Sequence, residues 1–151
     1  MTKLRSDDLL RLLRSQPHLN GSELTLRLGI SRATLSRGLR LLGEELLRQG
    51  GSKNTRYALQ RPLRGRIGKL PVYAIDTEGA GHMIGELSLT QPNGSLFVSH
   101  TTFPWPAYGP LMSQGWWDGL PYPLYDMRPR GFLGRDFARR HALSLEVSTS
   151  P

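Results

Sequence analysis

Leucines recur three and four residues apart near the start of the chain, at Leu9, Leu10, Leu12 and Leu13, directly after Ser6-Asp7-Asp8. That spacing puts apolar groups on one helical face, and a hydroxyl followed by two acids suits a helix start. A first helix is therefore predicted to end near Pro17. A second starts around Asn20 to Ser22, turns Leu24 and Leu28 inward and stops at Gly29, which can take the left-handed conformation of a helix end. After a tight turn, Ser31 caps a third helix with Leu35, Leu39 and Leu42 on one face and Gly43 as terminator.

The other side of that third helix carries the first candidate chemistry. Opposite Leu35 and Leu39 stand Ala33, Arg37 and Arg40, flanked by Thr34 and Ser36, with Ser31 and Arg32 at the helix start. Arginines for guanine edges or phosphates, hydroxyls for phosphates and a small residue for close approach are what a helix needs inside the major groove. The segment from Ser22 to Arg37, with its Gly29-Ile30-Ser31 turn, resembles the bacterial helix-turn-helix signature. A three-helix bundle with an arginine-rich solvated face is the competing reading.

Beyond Gly43 the pattern becomes strand, glycine-rich turn, strand: Leu46 to Gln49, Gly50 to Asn54, and Thr55 to Leu59. Such a hairpin would be a wing, and the fold resembled is a winged helix. Lys53 and Asn54 at the tip, with Arg56 nearby, are candidate contacts to phosphate or the minor groove, while Tyr57 and Leu59 are expected to pack on the helices. An ordinary polar hairpin fits Lys53 and Arg56 equally well.

Residues 61–69 carry four basic residues, two glycines and a proline without a sustained period, and read as a basic linker, either a phosphate contact or a solvated hinge. From Leu70 the period is strand-like: Leu70 to Asp76, His82 to Thr90 and Ser95 to Ser99, joined by turns at Glu78-Gly79-Ala80-Gly81 and Pro92-Asn93-Gly94. Short connections make this an antiparallel meander, and three strands need a cover. A short helix after Pro129 could supply it. The segment from Thr101 to Tyr125 holds all three tryptophans, Trp105, Trp116 and Trp117, and is either the small core of the module or a docking surface for another chain. The expected class is α+β: a winged helix-turn-helix over residues 1–60, the linker over 61–69, a β module with a C-terminal helix over 70–143, and a frayed tail over 144–151.

Composition sharpens this division. The net charge is +8, but up to Lys69 there are 15 Lys and Arg against 5 Asp and Glu, and from Leu70 onward 5 against 7. A basic module that meets a polyanion, followed by a near-neutral module with another task, fits this asymmetry; a solubilising surface is the bland alternative. No apolar run is long enough for a membrane span, and the absence of cysteine excludes disulfides and thiolate metal sites. A cytoplasmic, nucleoid-associated protein is expected.

The stretch Asp118-Gly119-Leu120-Pro121, followed by Asp126-Met127-Arg128-Pro129-Arg130-Gly131-Phe132-Leu133-Gly134-Arg135, resembles the N-terminal subdomain of HipA-family kinases, in the HipH or YjjJ-like branch. That branch has a similar order: winged helix, small sheet, then a Met-Arg-Pro motif. The resemblance implies a bacterial serine/threonine kinase toxin whose ATP site and catalytic Asp lie in a part of the chain missing here. It also implies a HipA-like kinase core as partner, with Trp105, Trp116, Trp117, Arg128 and Phe132 as candidate contacts.

Within this chain no enzyme is expected. Phosphoryl transfer needs a phosphate clamp, metal-binding carboxylates and a base, yet no lysine follows Lys69. His18, His82, His100 and His141 lack metal-ligand spacing, and Asp126 and Asp136 sit among arginines that make ion pairs the better account. No cofactor or metal is expected. Two functions compete. One is a DNA-binding transcriptional regulator related to HipA-type toxin-antitoxin systems, whose second module docks a kinase core or self-associates as a homodimer. The other is a truncated N-terminal fragment of such a kinase, without independent activity, arising as a split gene, a frameshifted remnant or an expressed piece.

Overall fold

The computed structural model describes residues 6–102 and 105–125. The fold is α+β with antiparallel sheets. The first helix, α1 (Ser6–Ser15), has Asp7 and Asp8 in its first turn and Arg14 in its last, each at the end where the helix dipole favours its charge. Leu9 and Leu13 on its inner face are fully buried.

A two-residue strand, β1 (Leu19–Asn20), leads into α2 (Gly21–Leu28). Asn20 closes a reciprocal cap: its Oδ1 accepts from the Glu23 N–H at 2.9 Å, and its own N–H donates to Glu23 Oε2 at 2.7 Å. Gly29 ends the helix at φ 63°, a left-handed conformation that costs glycine nothing. Ser31 then caps α3 (Arg32–Leu41), its hydroxyl accepting from the Thr34 N–H at 3.2 Å. The hairpin follows as β2 (Leu46–Gln49) and β3 (Arg56–Leu59), with a single 3-10 turn at Ser52–Asn54 in its tip. The strands stand in the order β1-β3-β2, so β3 is central.

Seven leucines, Leu9, Leu13, Leu19, Leu24, Leu35, Leu39 and Leu59, form the core beneath these elements. Each contributes about 1.5–3 kcal/mol by leaving water. Leu46 and Tyr57 pack against the same core from the hairpin.

The second sheet runs β4 (Leu70–Ile75), β5 (Gly81–Thr90), β6 (Gly94–Ser99) and β7 (Trp116–Trp117), in that order. The periodicity predicts three strands here and the sheet has four, because a Trp-Trp pair carries no alternation yet pairs with Ser95 and Leu96 of β6. Two short helices, α4 (Pro110–Ser113) and α5 (Tyr122–Tyr125), also lie in the aromatic segment. Leu87, Leu89, Phe97 and Trp117 make the core of this sheet. Gly85 is required there: a Cβ on it would stand 2.6 Å from the Phe97 ring. The helix expected after Pro129 and the tail over 144–151 lie outside the described residues.

The two sheets are joined through the hairpin. The Leu59 carbonyl accepts from the Gln91 N–H at 2.9 Å and the Arg61 N–H donates to the Leu89 carbonyl at 2.8 Å, bracketing a bridge between Gln60 and Thr90. Beside it, Ala58, Leu96 and Trp116 form a third buried cluster, with Leu47, Val98 and Leu111 around it. The expectation that Trp116 and Trp117 could be partner contacts is thereby corrected. They are 1% and 4% exposed, because Trp116 fills the seam between hairpin and second sheet and Trp117 fills the core on the opposite face.

His18 lies on that seam. It adopts φ 67°, its N–H donates to the Tyr57 carbonyl at 2.9 Å, and its ring rests 4.9 Å from the Trp116 ring. Burial lowers its pKa; Asp118 opposes the shift and Arg56 adds to it.

Two expected outcomes follow from this packing. Leu24→Ala removes a fully buried side chain and is expected to cost about 2–5 kcal/mol in denaturant unfolding. The unfolded chain takes up the His18 proton more readily than the native one, so stability falls as pH drops below about 6.5. His18→Asn, which tolerates the left-handed backbone, is expected to flatten the change in unfolding midpoint between pH 7.5 and 5.5; an unaltered slope would contradict the assignment.

Candidate nucleic-acid interface

Between α3 and the hairpin lies a groove of about 870 Å³. Arg32, Ser36 and Arg40 line one wall, four residues apart and therefore on one stripe of the helix. Arg48 of β2 and Lys53 at the hairpin tip line the other. No acidic residue lines it among the described residues. The four cations are exposed and make no ion pair among the described residues, so their charge is available to a ligand.

The remaining candidate residues divide by geometry. Ala33 and Arg37 are exposed on α3 beyond the groove rim, on the side facing away from its leucines. Ser31 and Thr34 are occupied with each other: besides the cap, their hydroxyl oxygens lie 3.0 Å apart. Asn54 is exposed at the hairpin tip. The α3 stripe and the tip thus face a common space, and an α-helix of about 10–12 Å diameter matches a B-DNA major groove of about 12 Å.

Arg56 is engaged within the protein. Its Nη1 donates to the His18 carbonyl at 2.6 Å and lies 3.6 Å from Glu23 Oε2, so the guanidinium braces β1 and α2. The cause is the central position of β3, which sets Arg56 beside Asn20 on one side and Gln49 on the other. The short strand β1 has too few residues to show a period, so nothing local announces this. Arg48 is the converse, a groove residue that the sequence reading does not single out. Strand alternation marks it: Leu46, Arg48, Tyr57 and Leu59 share the face toward the helices, while Leu47 and Ala58 face the second sheet.

Of the candidate partner contacts, Trp105 is half-buried, with its ring 4.7 Å from Phe97 and 6.5 Å from Trp117. Arg128 and Phe132 lie outside the described residues. Among the described residues no group of three or more His, Asp or Glu could hold a metal ion, and no helix is long and apolar enough to cross a membrane.

Comparison with known proteins places this architecture. Residues 67–151, from just before β4, match the family described as "YjjJ-like toxin, middle domain". Toxin YjjJ of Escherichia coli (strain K12) is 40% identical over 143 residues, which is 95% of this chain and 29% of that relative. The similarity therefore extends over the helical unit as well, and the chain spans less than a third of that relative's length. No solved structure matches the chain significantly. The family match covers more than half of the sequence, and the chain belongs to the YjjJ-like toxin family.

Proposed function

We propose that this chain is a non-enzymatic, DNA-binding regulator of a HipA-type toxin system, with the helical unit and hairpin acting as a winged helix-turn-helix. The observation that supports it is the acid-free cationic groove lined by Arg32, Arg40, Arg48 and Lys53. In this reading α3 enters the major groove with Ala33 and Arg37 toward the base edges. The stripe of Arg32, Ser36 and Arg40 follows one phosphate strand, and the hairpin, through Arg48 and Lys53, holds the same strand from the other side. The second module docks a HipA-like kinase core or pairs with another copy, and the protein acts at the nucleoid.

A second reading is supported by one number. The chain covers 29% of Toxin YjjJ, so the same architecture also suits the amino-terminal part of a longer toxin, acting only in that context. The two readings share the groove and differ in whether the isolated chain binds duplex DNA.

Binding to a short duplex is expected to weaken steeply with salt, because each neutralised phosphate releases condensed counterions and adds roughly −0.9 to the log–log slope. Arg40→Ala and Arg48→Ala are each expected to reduce that slope by about one unit, uniformly across sequences. Arg37→Ala is expected to cost about 1–3 kcal/mol and relax sequence preference, as loss of a base contact would. Fluorescence anisotropy over a salt series reads all three. Absent or salt-independent binding would overturn the regulator reading.

A further inference from the structure

Three of the nine exposed large apolar side chains among the described residues, Tyr73, Ile75 and Met83, lie on the outer part of the β4-β5 pair. Their position follows from strand lengths. β5 pairs with β6 only from Gly85 to Thr90, whereas its pairing with β4 continues to Ile75 opposite Gly81. Residues 73–83 therefore overhang the sheet as a two-stranded ribbon, at the end of β5 away from its junction with the hairpin. Such ribbons are marginal in water without a covering surface.

The register gives the ribbon one apolar face. Tyr73 stands opposite Met83 and Ile75 opposite Gly81, so the three large side chains share a side, with Ala74 opposite His82 on the other. Tyr73 is 52% exposed and Ile75 66%. The tip is held rigid: Asp76 Oδ1 accepts from the N–H groups of Glu78 at 3.0 Å and Ala80 at 2.8 Å, and its Oδ2 lies 2.7 Å from His82 Nε2. The His82 bond, then the Ala80 N–H, holds the Asp76 carboxyl below the usual carboxylate range, so the tip keeps its charge. Pro71 removes one backbone donor from the edge of β4, and the extra residue of the irregularity beside it, Ile84, belongs to β5.

Charge selects the occupant. The ribbon is acidic at its tip, with Asp76 and Glu78, and basic at its base, with Arg66 and Lys69, all exposed. Lys69 also reaches Glu86 at 2.9 Å while remaining 61% exposed. Stacked antiparallel on a second identical ribbon, each acidic tip lies over the other's basic base while the Tyr73, Ile75 and Met83 faces meet. A patch that complements itself about a two-fold axis is what an isologous interface requires.

We propose that this ribbon is a homodimer interface, its apolar face covered by the antiparallel ribbon of a second copy of the chain. The inference rests on the self-association part of the reading above and is independent of its DNA part.

Sedimentation equilibrium of the full chain without DNA tests it. A monomer–dimer equilibrium is expected, weakened about tenfold or more by Glu78→Lys, which sets like charges together, and restored when Arg66→Glu is added in the same chain. Tyr73→Ser combined with Ile75→Ser is expected to give monomers with an unchanged circular dichroism spectrum, and decides the matter should the charge variants fail to fold. A wild-type chain that stays monomeric overturns the proposal, including the case in which a different protein covers the ribbon. So does a dimer indifferent to these substitutions. Binding to a duplex carrying a single half-site, measured on the Glu78→Lys variant, reports separately on the DNA reading.

Discussion

The hairpin of β2 and β3 packs against an apolar body on each face, and the rest of the structure depends on that. Leu46, Tyr57 and Leu59 belong to the leucine core under the helices, while Leu47 and Ala58 belong to the cluster around Trp116. Period-two alternation permits this only if two different apolar bodies flank the strands. The backbone exchange of Leu59 and Arg61 with Gln91 and Leu89 fixes the register between them. The hairpin held in this way sets Arg48 and Lys53 opposite Arg32 and Arg40 across the groove. The cost of preorganising these cations is met by the hydrophobic packing behind them.

The same junction ties the helical unit to the toxin middle domain. His18 is its most exacting position, with a left-handed backbone, an N–H given to Tyr57, a carbonyl that accepts from Arg56, and a ring against Trp116. Arg56 is used here because its charge offsets Glu23 and its donors satisfy a backbone acceptor at the base of α2. Arg56 thus serves the framework, while the exposed cations of α3, β2 and the hairpin tip make no ion pair among the described residues. That separation is consistent with a charge excess kept for a polyanion.

Much of the helical unit is legible in the sequence because its signals are local. The Asn20 and Glu23 cap, the Ser31 cap and the left-handed Gly29 are each written within four residues of where they act. The hairpin and three strands of the second sheet are legible from alternation and turn residues. What escapes reading is set by distant partners. The strand β1 exists because Tyr57 and Arg56 lie alongside it, and β7 exists because β6 offers Ser95 and Leu96. The choice between core and docking surface for Trp116 and Trp117 turns on where the second sheet meets the hairpin, which no local pattern encodes. For the groove, the α3 residues follow from helical periodicity, whereas Arg48 emerges only once the hairpin register tells which side Leu46 faces.

Amide hydrogen exchange of the full chain, with and without a saturating short duplex, tests most directly whether the face shared by α3 and the hairpin is the DNA surface. Added protection is expected over Arg32–Leu41 and across the hairpin from Leu46 to Thr55, with β5 and β6 unchanged. Protection concentrated on the second sheet, with α3 and the hairpin tip exchanging as in the free protein, would contradict it.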